Sequence, residues 1–152
     1  MGMFSAFNVN ASGMTAQRYR MDIISENVAN ANTTRTEDGT PYRRKIVTFA
    51  EKGGQTAFSR VLGNASSNYD RGYSGNGVKV TRVYEDHETE MNMVYDPSHP
   101  DADENGYVTY PNVNIVTEMT NMIDASRAYE ANATAFNASK SMALKGLQLS
   151  QQ

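Results

Sequence analysis

Residues 115–136 read IVTEMTNMIDASRAYEANATAF, and the spacing of their apolar side chains decides the fold. Ile115, Met122, Tyr129 and Phe136 recur every seven positions, flanked by Met119, Ile123 and Ala133, with Leu144 and Leu147 beyond. Apolar residues at such intervals share one face of a helix, and a seven-residue repeat makes a narrow seam suited to a second helix. That second helix is expected at the other end of the chain, where Phe7, Met14, Met21 and Val28 repeat the interval, joined by Met3, Ala11, Ile24 and Ala31. The pattern predicts one helix over residues 3–31, with Ser5 as N-cap and Gly13 as its only strong interruption. It predicts another from an Asn114 N-cap to Leu149, with Glu118 favouring the positive end of the helix dipole and Gly146 weakening the last turns.

One such seam is lean. The side chains that it can bury do not offset the conformational entropy of ordering two long helices. The helix ends are therefore expected to be poorly ordered in an isolated monomer and to be completed by helices of neighbouring subunits.

Working outward from the helices, the first fades in Asn27-Val28-Ala29-Asn30-Ala31-Asn32-Thr33, where asparagine side chains compete for backbone groups. From Arg35 to Pro111 the chain holds 21 of its 31 charged residues, which sets this stretch apart from both ends. Strands are predicted at residues 42–49, 78–84, 91–95 and 107–110, with Val78, Val80, Arg82 and Tyr84 on one face of the second. Residues 53–77, rich in Gly, Ser and Asn, read as a loop. The expected architecture is α+β: residues 1–34 and 112–152 form an antiparallel coiled-coil pair, and residues 35–111 form a small β-rich middle region.

Composition narrows the function classes. A net charge of −3, with no basic block beyond Arg43, Arg44 and Lys45, argues against nucleic-acid binding. The absence of cysteine excludes disulfides, cysteine zinc sites and thiol nucleophiles. No window approaches the roughly twenty apolar residues of a membrane span. Asn8, Asn10 and Ser12 interrupt the N-terminal apolar residues, so no cleavable signal is expected.

Motifs that suggest chemistry have plainer readings. Asp101-Ala102-Asp103-Glu104-Asn105-Gly106 matches the first half of a calcium-binding EF-hand loop, but Asn112 stands where the bidentate Glu belongs, so an acidic turn is expected. His87 and His99, the only imidazoles, have no nucleophile and orienting group around them and read as surface or turn residues. Gly72-Tyr73-Ser74-Gly75-Asn76-Gly77 precedes a strand instead of opening a helix, so it is a turn. No enzymatic activity, cofactor or metal is expected.

Three segments together resemble a known family. Residues 25–33, SENVANANT, are similar to the N-terminal signature of the rod and hook axial proteins of the bacterial flagellum, through Asn27, Asn30, Asn32 and Thr33. Arg127 with Tyr129-Glu130-Ala131-Asn132 resembles the matching C-terminal signature. The block from Asp96 to Asn114, continuing into Glu118-Met119, is similar to the hallmark of proximal-rod members, through Pro97, His99, Pro100, Gly106, Tyr107, Pro111 and Asn112. The resemblance implies a non-enzymatic rod subunit, exported unfolded by the flagellar type III apparatus without a cleaved signal peptide. It would self-associate and contact other proximal and distal rod proteins and basal-body adaptor and membrane-ring proteins, without entering the membrane. The helix-packing and interface residues expected on the seams are Phe7, Met14, Met21, Ile24, Val28, Ile115, Met119, Met122, Tyr129, Phe136 and Leu147. A second reading is another secreted coiled-coil filament or adhesin-like subunit, which would lack the block that begins at Asp96.

Overall fold

The computed structural model describes residues 3–53 and 76–149, and residues 54–75, most of the expected loop, lie outside that description. Helix α1 spans Met3–Ala29 and helix α2 spans Ile115–Leu149. They run antiparallel: the Phe7 and Phe136 rings meet edge to face with centroids 5.1 Å apart, and Arg20 Nη2 donates to Asn121 Oδ1 at 3.4 Å. Ser5 lies inside α1 and is not its N-cap, because the helix already includes Met3. Asn114 caps α2 as expected, its Oδ1 accepting from Thr117 N–H at 3.2 Å. At the end of α1, Asn30 Nδ2 donates to Glu26 O and Thr33 Oγ1 donates to Asn30 Oδ1, local bonds that divert the backbone from the helix.

Among its described residues the middle region holds two antiparallel pairs. Strand β1, Lys45–Glu51, pairs with β2, Val78–Glu85, and β3, Asn92–Tyr95, pairs with β4, Tyr107–Tyr110. Tyr42 precedes β1 instead of opening it, and Met91 precedes β3. The expected single face of β2 is also corrected. Thr48 pairs with Arg82 but Phe49 pairs with Val80, so Thr81 bulges out and the pleat changes phase. Val78 and Val80 are half-buried, and beyond the bulge the half-buried residue is Val83, leaving Arg82 and Tyr84 exposed.

The core is small and partly polar. Its buried apolar residues are Ala16, Ile24, Ala31, Tyr42, Val108 and Ala125, and beside them Asn27, Asp86, Asn112 and Glu118 are also buried. The seam therefore departs from the expectation of stacked large side chains. Phe7, Met14, Met21, Val28, Met122 and Phe136 are only half-buried, and Ile115 is 43% exposed. Close approach explains part of this. A β-carbon at Gly13 would come within 2.7 Å of Asn132 Oδ1 and 2.9 Å of its Cγ, so Gly13 is a contact point between the helices instead of a mere interruption.

Candidate functional site

Where α1, β1 and the start of α2 converge, four segments of the chain are joined by side-chain hydrogen bonds. Asn27, 1% exposed, uses both ends of its amide twice. Its Nδ2 donates to Lys45 O at 2.9 Å and to Glu118 Oε2 at 3.1 Å. Its Oδ1 accepts from the Tyr42 hydroxyl at 2.9 Å and from Lys45 N–H at 2.8 Å. Glu118 is equally buried, and its Oε1 accepts from Arg44 Nε at 2.9 Å and Nη2 at 2.7 Å. A buried carboxylate is tolerable only when paired and hydrogen-bonded in this way.

Arg44 extends the network past the end of the β1–β2 pair. Its Nη1 lies 3.7 Å from Asp86 Oδ2, and its backbone N–H donates to Asn112 Oδ1 at 2.9 Å. Asn112 in turn donates through Nδ2 to the carbonyls of Asp86 and Thr89. Thr89 donates to Asp86 from both its backbone N–H and its hydroxyl, and these bonds, with Glu88 N–H and the Arg44 charge, hold the Asp86 carboxyl below its usual range despite burial. Burial raises the Tyr42 hydroxyl pKa, and the charges of Glu26, Glu118 and Glu85 raise it further, so this phenol stays a donor. Lys45 Nζ pairs with Glu26 at the edge of the network.

Along α2 little is sealed, beside the network or beyond it. Among the described residues of α2, only Glu118 and Ala125 are buried. Val116, Met119 and Ile123 form a stripe at helical spacing, and Val116 is 75% exposed. Met142, Leu144, Leu147 and Leu149 are likewise exposed near the helix end. Of the expected packing residues, Ile24 is buried, Ile115, Met119 and Leu147 are exposed, and the Phe7–Phe136 pair is the main aromatic contact between the helices. Tyr129 lines an open groove with Met14, Arg18 and Tyr19. The pair is tied together at its base, yet α2 exposes apolar residues both there and at its tip.

The signature residues sort by position in this arrangement. Asn27 and Asn112 are network members, Pro111 is buried beside them, and Asn30 and Thr33 form the exit from α1. Asn32 is exposed. Asn132 faces Gly13 and donates to Ala128 O. Pro97, Gly106 and Tyr107 shape the β3–β4 loop, where Tyr107 stacks edge to face on Tyr95. The acidic turn is tied up in the fold: Asp101 accepts from Thr34 Oγ1 and faces Arg35, and Asp103 accepts from the Asn105 and Tyr107 amides. His99 Nδ1 accepts from Asp101 N–H, with its ring against Tyr110. His87 sits exposed beside Glu85.

Sequence reading passed over Glu118, Arg44, Asp86 and Tyr42 as members of one site. Glu118 read as a first-turn acid and Arg44 as part of a short exposed basic run. Their partnership spans 74 residues of chain, and that between Asn27 and Glu118 spans 91, so no local pattern marks either.

Comparison with known proteins places both ends of the chain in one class. Residues 7–35 match the family model described as Flagella basal body rod protein, and residues 104–149 match that described as Flagellar basal body rod FlgEFG protein C-terminal. The chain is thus of the flagellar rod class. A flagellar basal-body rod protein FlgC of Bacillus subtilis strain 168 is 46% identical, covering 98% of this chain and 99% of the relative. The FlgC proteins of Borreliella burgdorferi strain B31 and Salmonella typhimurium strain LT2 are 47% and 39% identical, covering 93% and 99% of this chain and 93% and 100% of those relatives. The chain belongs to the FlgC family of flagellar basal-body rod proteins. It is a structural subunit of the proximal rod of the flagellar basal body.

Proposed function

We propose that this rod subunit assembles through its terminal helices and transmits torque without any enzymatic step. The observation that carries this reading is the run of exposed apolar residues along α2, from Val116, Met119 and Ile123 beside the base network to Leu144, Leu147 and Leu149 at the tip. Exposed apolar surface concentrated on one element marks an interaction site. The contact with adjacent subunits is heterologous, using different faces of each helix, and such contacts propagate as a helical array instead of closing as a dimer. The partners are other copies of this chain and other proximal and distal rod subunits, with basal-body adaptor and membrane-ring proteins at the inner end. Delivery by the flagellar type III export apparatus, without a cleaved signal, suits a subunit whose tip is completed only on assembly.

Phe136 anchors the tip because it is the partner of Phe7 and lies beyond the last buried residue of α2. Large aromatics near an interface commonly dominate its energy. Phe136→Asp is expected to abolish swimming while leaving expression unchanged, measured in motility agar with immunoblotting of cells. Normal swimming would contradict the proposed use of this helix face.

A further inference from the structure

We propose that Glu118 is the closing element of a folding latch, so that the middle region locks onto α1 only when the start of α2 has arrived. The side-chain partners of the middle region run one way along the chain. Asn27, Arg44 and Lys45 all precede residue 90, yet the charge that balances Arg44 inside the network and the acceptor for the second Asn27 amide hydrogen both come from Glu118. Arg44 N–H and the carbonyls of Asp86 and Thr89 likewise wait for Asn112. Before these residues arrive, Arg44 has only Asp86, at 3.7 Å, and Asn27 lacks its bond to Glu118. The closed arrangement then forgoes its strongest, charge-assisted hydrogen bonds and is disfavoured accordingly.

The latch therefore makes closure of the middle conditional on residues 112–118. A chain that passes through a narrow channel N-terminus first would remain open until residues 112–118 had emerged. This consequence holds whatever the identity of the neighbours that later cover the helix tips.

The test is residue-resolved hydrogen exchange on the full-length chain, comparing Glu118→Gln with the exposed control Glu130→Gln. Glutamine keeps the shape and an acceptor but removes the charge that holds Arg44. In Glu118→Gln, the Arg44, Lys45 and β1 amides are expected to exchange about tenfold faster or more, the scale of a lost charge-assisted hydrogen bond. Amides of α2 around Ala125 are expected to match the control. Arg44→Lys, which keeps the charge but loses the fork, is expected to give the same division between middle and helices. Equal acceleration throughout the chain, including failure to fold, would show that Glu118 only adds global stability and would overturn the proposal. Unchanged exchange in the middle would overturn it equally.

Discussion

Asn27→Asp is the substitution that most sharply probes the base of the helix pair, since it changes one atom and no volume. In the wild type the Asn27 Nδ2 faces two acceptors, Lys45 O at 2.9 Å and Glu118 Oε2 at 3.1 Å. An aspartate there turns two hydrogen bonds into two repulsive contacts, one of them between carboxylates in a buried site. Losing two buried bonds costs about 1–3 kcal/mol each once their partners are left unsatisfied, so about 4 kcal/mol overall before the charge repulsion is added. That is a large share of the roughly 5–15 kcal/mol that holds a domain together. Asn27→Ala also loses the Tyr42 and Lys45 N–H bonds to Oδ1, but it creates no repulsion and leaves room for water to serve some orphaned groups. The expected order at pH 7 is therefore wild type, then Asn27→Ala, then Asn27→Asp, in urea melts followed by circular dichroism at constant slope. An aspartate variant as stable as wild type, or more stable than the alanine variant, would refute the placement of two acceptors against this amide.

Three further outcomes follow from single sites. Gly77 has φ +89°, and a β-carbon there would strike Ser12 Oγ and come within 3.3 Å of Val9 Cα on α1, so Gly77→Ala should destabilise by about 2 kcal/mol or more, read as a lowered urea midpoint. Ser12 Oγ accepts from Val78 N–H at 3.0 Å, and Ser12→Ala should free that amide to exchange without unfolding the chain. The Asp86 carboxyl is held below its usual range, so its contribution is complete above its unfolded value near 4 and is lost as pH falls through the lower folded value. Acid titration of stability should therefore show a shallower fall below about pH 4 in Asp86→Asn than in wild type.

The helices and most of the strands were legible because their signals are local. Seven-residue apolar spacing, an Asn114 cap and β-branched runs each act within a few residues, and the structure places α2 at Ile115–Leu149 accordingly. What stayed hidden depends on pairing at a distance. The seam is closed by Ala16, Gly13 and Ala125 as much as by large residues, and small residues carry no periodic signal until their partners are known. The phase change in β2 comes from one bulged residue, Thr81, set by its register with β1. The latch joins residues of opposite ends, and each member taken alone reads as a common cap, turn or surface charge. Asn27 and Asn112 were visible as signature positions, but their role needed the fold that links them through Glu118 and Arg44.

The most direct measurement is hydrogen exchange along both helices in dilute monomer and again in assembled rods. A base sealed by Asn27, Arg44 and Glu118 should keep the amides around Ile24 and Glu118 protected in the monomer, while those of residues 3–8 and 137–149 exchange at nearly free-peptide rates and become protected only in the rod. Strong, even protection from Met3 to Leu149 in the isolated monomer would mean that the tips need no neighbour, and assembly by completion of the helix pair would be wrong.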